Sequence, residues 1–203
     1  MDIIKATIEG TSPLLLHNAR LANPLDECAK LLKKVTSKRN KTDEDYHEMA
    51  RLEFLGGLYY DKKSGVYIPG DNIAAMVRDG GKLKKRGASV QRGVECLDFL
   101  CPLIYDGPRT PEGMWDLRDT FADVRTIKNG STGGRTPRCR PKFDPWSVTF
   151  RLFYDSSMIN LDDLRQCLID AGTAVGLGDY RPGSPKGGRF GRFKLTAWEA
   201  SNG

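Results

Sequence analysis

Apolar and polar positions alternate in three stretches of the chain, and each alternation predicts a strand that is covered on one face. The first stretch ends at Gly10, the second spans 148–154, and the third lies near the C-terminus. A longer apolar run, 97–105, predicts one more strand, in which Pro102 indicates an edge or a bulge. The apolar members of the alternating stretches are Ile4, Ala6, Ile8, Val148, Phe150, Leu152, Tyr154, Phe193, Leu195 and Ala197.

Apolar residues at helical spacing follow capping residues in three other places. Asp71 precedes a segment whose apolar face predicts a helix that ends before Gly80. Asn160 precedes a second such segment, which carries two aspartates in its first turn. Thr42 and Asp45 have the spacing of a capping box, which predicts a third helix.

The balance of charge favours an anionic partner. The chain of 203 residues has 32 Lys and Arg against 26 Asp and Glu, a net charge of +6 and a pI of about 9.1.

No stretch approaches the roughly 20 apolar residues needed to cross a bilayer, and the N-terminus lacks a signal-peptide pattern. We therefore expect a cytoplasmic protein without membrane association.

The cysteine pattern indicates neither a disulfide framework nor a zinc site. Five cysteines are an odd number, and no two of them form a CxxC pair. Buried thiols are the default interpretation. We accordingly expect no bound metal and no cofactor.

Glycine and basic residues concentrate in the segment 176–193, GLGDYRPGSPKGGRFGRF, which we call the glycine loop. Glycines let a backbone approach a ligand and present N–H groups, and the cations add positive charge, so the loop suits a phosphate chain. Tyr180, Phe190 and Phe193 add rings on which a base can stack. The alternative is a mobile surface loop. The candidate contacts are Gly176, Gly178, Tyr180, Arg181, Lys186, Gly187, Gly188, Arg189, Gly191 and Arg192.

A second basic segment lies in the insertion 106–146. It has no acidic residue between Arg125 and Lys142, and NGSTGG at 129–134 is typical of a hairpin tip. A ribbon with cations on its arms can hold a phosphate backbone, whereas a dimer arm or a disordered loop is the alternative. The candidate contacts on this ribbon are Arg125, Lys128, Arg135, Arg138 and Arg140.

Two motifs resemble a known superfamily. IPGDNIAAMVR, Ile68–Arg78, resembles the motif that opens the first helix of RAMP (repeat-associated mysterious protein) superfamily members, the RNA-binding proteins of CRISPR systems. The glycine loop is similar to the superfamily's loop between the second helix and the last strand of a ferredoxin-like domain. The chain most resembles the backbone subunit that polymerises along guide RNA, and this resemblance implies that the ribbon acts as a thumb over the RNA.

The order of the elements gives the expected fold. The chain reads strand, helix, strand, strand, helix, strand, which is the split βαβ arrangement. We therefore expect an α+β protein with a ferredoxin-like or RRM-like core (βαββαβ). It forms a single domain over 1–203, with inserted helical and hairpin segments at about 11–67 and 106–146.

These observations predict binding of single-stranded, guide-type RNA, by a CRISPR effector backbone subunit or a stand-alone relative. Its partners would be RNA and either further copies of the chain or other CRISPR-type subunits. One alternative is a metal-independent endoribonuclease of the same superfamily, with His17 as the base. Asp26 is the candidate for a variant that cleaves target RNA. Another alternative is a phage or mobile-element protein that imitates or inhibits a CRISPR complex.

Overall fold

The computed structural model describes residues 2–128 and 135–202, so the expected hairpin tip at 129–134 lies outside the described residues. The strands are β1 (Asp2–Gly10), β2 (Leu14–Leu15), β3 (Tyr60–Asp61), β4 (Gly65–Pro69), β5 (Val94–Cys96), β6 (Leu100–Ile104), β7 (Ala122–Lys128), β8 (Arg135–Phe143), β9 (Ser147–Tyr154) and β10 (Phe193–Asn202). The helices are α1 (Glu27–Thr36), α2 (Asp43–Gly57), α3 (Gly70–Lys82), α4 (Gly87–Gly93), α5 (Pro111–Asp116), α6 (Arg118–Phe121) and α7 (Leu161–Asp170). A 3₁₀ turn covers Ala19–Ala22, and a π-helical turn, Ala171–Val175, follows α7.

The chain divides into two compact units. The first unit comprises 1–14, 60–106 and 143–203, and the second comprises 15–59 and 107–142. Both segments of the second unit fall within the ranges where the sequence predicts insertions. The expectation of a single domain stays a prediction.

The first unit is built on an antiparallel sheet with the strand order β10-β1-β9-β6-β4-β3, and β5 also pairs with β9. One face of this sheet is apolar because the buried side chains of neighbouring strands are in register. The pairs are Ile4 with Leu152, Ala6 with Phe150 and Ile8 with Val148. Burial of each large side chain contributes about 1.5–3 kcal/mol. Helices together with antiparallel sheets confirm the α+β class.

Helix α3 begins and ends at different residues from those that the sequence predicts. Pro69 is its N-cap, and the predicted cap Asp71 lies in the first turn. The helix also continues through Gly80, because α3 packs against α7 at this point. A Cβ on Gly80 would lie 2.2 Å from the carbonyl oxygen of Cys167. Glycine therefore permits close helix packing here and does not end the helix.

The glycine of the Ile68–Arg78 motif has a packing role. A Cβ on Gly70 would lie 2.3 Å from the carbonyl oxygen of Asp98. The Gly70 N–H donates to the carbonyl oxygen of Phe99 at 3.0 Å, which fixes the start of α3 against this turn. The motif thus joins the start of α3 to the connection between β5 and β6.

Two predicted strands differ in detail. The strand predicted over 97–105 is shorter than the run: it is β6, which begins at Leu100, because 97–99 forms the connection from β5. Pro102 pairs with Tyr67 of β4 inside β6. In β10, Leu195 pairs with Ile8 whereas Ala197 pairs with Thr7, so a β-bulge occurs between them. The extra residue reverses the alternation, and the prediction that Leu195 and Ala197 share a face is wrong.

The second unit combines helices with a smaller sheet of order β2-β8-β7. The predicted capping box is present at the start of α2, where Thr42 and Asp45 satisfy each other's backbone N–H groups. Phe54 of α2 packs on Trp115 of α5, with ring centroids 5.4 Å apart. The chain before the 3₁₀ turn joins β8 through Leu16, whose N–H donates to the carbonyl oxygen of Pro141 at 3.0 Å.

Candidate nucleic-acid interface

Backbone hydrogen bonds join the two arms of the glycine loop. Leu177 N–H donates to Gly191 O at 2.9 Å, and Phe190 N–H donates to Tyr180 O at 3.2 Å. Gly191 N–H donates to Pro13 O at 2.8 Å, which ties the loop to the chain after β1. These hydrogen bonds support the loop from within and anchor it to the chain after β1, and the alternative of a mobile surface loop stays a prediction.

Several glycines of the loop allow these arms to come together. A Cβ on Gly188 would lie 1.7 Å from Tyr180 O, and one on Gly191 would lie 1.8 Å from Leu177 O. Gly191 also has a φ of +67°, in the left-handed region that favours glycine. Gly187 has a similar φ of +62°, but a Cβ there would meet nothing within 4 Å. Close packing inside the loop, which the sequence does not predict, thus accounts for Gly188 and Gly191.

The loop presents its cations at the surface. Lys186, Arg189 and Arg192 are exposed, and Arg181 is half-buried. The guanidinium of Arg181 donates to Gly178 O at 3.3 Å, and that of Arg192 donates to Thr173 O. These contacts orient two of the side chains without neutralising their charge. The result is a positively charged surface on a hydrogen-bonded backbone.

The rings of the loop differ from the sequence prediction. Phe190 and Phe193 are 6% and 3% exposed, so they belong to the core and offer no face to a nucleic-acid base. The prediction that they stack on bases is wrong, because their apolar surface is worth more in the interior than in water. Tyr180 is half-buried and has a φ of +50°. It is the one ring of the loop that stays partly open to solvent.

In the second unit, acidic partners from outside the segment 125–142 reach the ribbon's cations. The guanidinium of Arg125 pairs with Asp123, and that of Arg138 pairs with Glu53 of α2 at 2.5 Å. Arg140 is only 8% exposed, whereas Arg135 is exposed. The backbone of Lys128 lies at the end of β7, and its side chain lies outside the described residues.

Glu53 is a partner of the candidate ribbon that the sequence does not predict. It is 3% exposed, and its second oxygen accepts the N–H of Cys139 at 2.7 Å. The available signal was its spacing, four residues after Met49 on the apolar face of α2. A carboxylate at a buried position requires such partners, because an unpaired buried charge is costly.

The two candidate catalytic residues lie in the second unit, in different settings. His17 is exposed, its carbonyl oxygen accepts the hydroxyl of Tyr59 at 3.4 Å, and it lines a pocket of about 500 Å³. Asp26 caps α1 by accepting the N–H groups of Cys28 and Ala29 at 2.9 and 3.2 Å. Helix capping is a sufficient structural reason for an aspartate at this position. Asp26 is not among the residues that line the pocket.

Within the described residues, the structure shows neither a cluster of metal ligands nor a membrane-spanning helix. No group of three or more His, Cys, Asp or Glu side chains in 2–128 and 135–202 is arranged to hold a metal ion. Within the same ranges, no helix combines the length and the apolar character that a membrane span requires.

Comparison with known proteins gives matches among solved structures but none among protein families or curated proteins. No protein-family model matches the sequence, and no curated protein matches it. A chain from the cryo-EM structure of the Type III-B Cmr-beta bound to cognate target RNA is 16% identical and superposes with a TM-score of 0.49. The alignment covers 98% of the present chain and 60% of that chain, so the present chain spans less than two thirds of its length. Similarity at this level establishes neither a family nor a function.

Proposed function

We propose that this protein binds single-stranded RNA of the guide type through the glycine loop, which holds the phosphates. The observation that carries the proposal is the exposure of Lys186, Arg189 and Arg192 on a backbone whose arms are joined by hydrogen bonds. Cations on a fixed backbone lose little freedom on binding, and they release counterions from the RNA. Base identity plays a small part, because the contacts are with the backbone.

The strand order supports a ferredoxin-like core for the first unit. If β1, β6, β9 and β10 are counted as first to fourth, their order in the sheet is fourth, first, third, second. Helix α3 lies between the first and second in sequence, and α7 lies between the third and fourth. This is the split βαβ arrangement predicted for a RAMP-like protein. We accordingly propose a cytoplasmic CRISPR-type backbone subunit or stand-alone relative, which assembles with its own copies or with related subunits.

The ribbon is the second part of the proposed interface. Arg135 is its most accessible described cation, and its guanidinium can contact phosphate directly. Arg125 and Arg138 are paired with carboxylates, so each can contact RNA only by exchanging its carboxylate for a phosphate. We assign the ribbon a weaker role than the glycine loop for this reason.

The double variant Arg181→Ala with Arg189→Ala tests the proposal. Fluorescence anisotropy with labelled homopolymer RNAs, repeated over a range of salt concentrations, gives both the affinity and its salt dependence. We expect weaker binding to every sequence alike. The slope of log K against log salt should fall by about 1.4 in magnitude, from roughly 0.7 for each lost phosphate contact.

A matched control removes the same charge elsewhere in the first unit. Lys84→Ala with Arg165→Ala replaces two exposed cations outside the loop. This control should retain the affinity and the salt slope of the wild-type protein. If both double variants bind equally well, the glycine loop does not hold the RNA.

The same RNA separates binding from cleavage. Incubation of labelled RNA with EDTA reports metal-independent cleavage, and intact RNA supports a binding protein. Cleavage that His17→Ala abolishes would favour the endoribonuclease alternative, whereas cleavage that survives this substitution excludes His17 as the base.

A further inference from the structure

Cys96 and Cys101 form a pair of neighbouring thiols in the first unit. Their sulfur atoms lie 3.9 Å apart, and each sulfur lies 3.5 Å from the carbonyl oxygen of Asp98. The pair lies outside both the glycine loop and the ribbon. The proposed RNA contacts therefore do not account for it.

The sheet brings these two thiols together. Strands β5 and β6 both pair with β9, on the side of β9 opposite to β1, so they lie end to end with 97–99 as their connection. The carboxylate of Asp98 fixes this connection by accepting the backbone N–H of Arg151 at 2.8 Å and its guanidinium at 2.6 Å. The two cysteines flank a connection that is held from β9, so the fold itself keeps their sulfur atoms close.

The two thiols differ in their access to solvent. Cys96 is half-buried, whereas Cys101 is 0% exposed. The hydrogen bond with Cys101 lowers the pKa of the Cys96 thiol, and the thiolate is the form that attacks a disulfide. The same hydrogen bond and burial raise the pKa of Cys101. An oxidant that arrives from solvent therefore reacts with Cys96 first.

We propose that Cys96 and Cys101 form a reversible dithiol–disulfide site that reacts with low-molecular-weight disulfides such as glutathione disulfide. A disulfide bond is about 2.0 Å long, so the two sulfur atoms must approach each other by about 2 Å, a distance that rotation of the two side chains covers. A disulfide in a cytosolic protein is usually transient and redox-sensing, which fits a reversible site. The site does not rest on the proposed function.

The reaction consists of two thiol–disulfide exchanges. The Cys96 thiolate attacks one sulfur of glutathione disulfide, whose S–S bond breaks, and the first glutathione leaves as a thiolate. Cys101 then loses its proton, its thiolate attacks the sulfur of Cys96, and the second glutathione leaves. Two electrons pass from the cysteines to glutathione disulfide, and the two protons that the cysteines release convert both leaving groups to thiols.

The first exchange also prepares the second one. Once Cys96 carries glutathione it has neither a thiol proton nor a negative charge. The hydrogen bond with Cys96, which is the main cause of the raised pKa of Cys101, is then lost. Cys101 therefore ionises more readily at the moment when its thiolate is needed.

Tryptic mass spectrometry of the wild-type full chain tests the site. Both cysteines fall in the peptide 93–109, which contains no other cysteine. The protein is equilibrated with mixtures of reduced and oxidised glutathione, quenched with acid, alkylated and digested. We expect a peptide that is lighter by two hydrogens and carries no alkyl group. If the peptide keeps two alkyl groups, or carries glutathione, in glutathione disulfide alone, the proposal is overturned.

Two single substitutions separate the roles of the thiols. In Cys101→Ser the reaction should stop at the glutathione adduct of Cys96, which should be at least about tenfold more abundant than in the wild-type protein, because no neighbouring thiol displaces the glutathione. In Cys96→Ser the buried Cys101 should remain a thiol. Equal glutathione adducts in the two variants would refute Cys96 as the thiol that reacts first.

The same titration in urea measures what the fold contributes and needs no variant. The folded protein holds the two thiols together, whereas the unfolded chain must close the loop between them. At half oxidation, the square of the reduced glutathione concentration divided by the oxidised concentration gives the effective concentration of the thiol pair. We expect this value to be at least about tenfold higher for the folded protein than in urea. Equal values would overturn the proposal, because the fold would then do nothing to favour the bond.

Discussion

Replacing Gly191 with alanine tests whether the glycine loop is held together by close approach of its own backbone. The new Cβ would lie 1.8 Å from Leu177 O, at a residue whose φ is +67°. The left-handed conformation costs a non-glycine residue about 1–2 kcal/mol. Relief of the clash would also break the hydrogen bonds that join Gly191 to Leu177 and Pro13, each worth roughly 1 kcal/mol. We expect a total loss of about 3 kcal/mol in the free energy of unfolding.

Gly187→Ala is the matched control. Gly187 has a φ of +62°, but its Cβ would meet nothing within 4 Å, so only the backbone cost of about 1 kcal/mol applies. Urea unfolding measures both variants. With a slope of about 2 kcal/mol per molar urea, the midpoint should fall by about 1.5 M for Gly191→Ala and by about 0.5 M for Gly187→Ala.

Tryptophan fluorescence can report the first unit alone. In a Trp115→Phe background the remaining tryptophans are Trp146 and Trp198, and both lie in that unit. Equal destabilisation by the two glycine substitutions would refute the reasoning, because it would mean that close packing inside the loop contributes nothing beyond the φ angle.

Three further predictions follow from the polar contacts. Glu53→Gln should destabilise the second unit by about 2 kcal/mol in urea unfolding, because it leaves a guanidinium without its carboxylate, whereas Glu48→Gln at an exposed ion pair should cost less than about 1 kcal/mol. Burial raises the pKa of Asp98, but hydrogen bonds from Arg151 outweigh burial and hold the pKa below its ordinary value. Asp98→Asn should therefore lower the free energy of unfolding by its full amount at pH 5. The difference from wild type should shrink as the pH falls below about 4, because the Asp98 carboxylate of the wild-type protein then becomes protonated in the folded state as well. A difference that does not change with pH would contradict this prediction. The hydrogen bond with the neighbouring thiol of β6 lowers the pKa of Cys96, so iodoacetamide should alkylate Cys96 before the buried thiols, and peptide mass spectrometry gives the order of reaction.

The candidate interface was predictable where it depends on local composition. The glycines and cations at 176–193 are visible in the sequence, and the structure places Lys186 and Arg189 at the surface. Burial of Phe190 was not predictable in this way, because an isolated ring among glycines carries no periodicity. The pairing of Arg138 with Glu53 was equally hidden, since 85 residues separate the two side chains along the chain.

The sequence by itself determined the elements that depend on neighbouring residues. Alternation over 4–8 defines β1, and the side chain of Asn160 caps α7 by accepting the N–H of Asp163 at 2.8 Å. These features arise within one or two turns of chain, so periodicity and capping rules detect them. The order of helices and strands, and hence the α+β class, follows from the same local signals.

Only the tertiary structure decided which segments approach each other and at which positions that approach requires glycine. At Gly80 the backbone of Cys167 comes too close for a Cβ, and at Gly191 the backbone of Leu177 does the same. The bulge that separates Leu195 from Ala197 depends on the register with β1. Contacts of this kind join atoms that are far apart along the chain. The residues next to each position in the sequence therefore do not predict them.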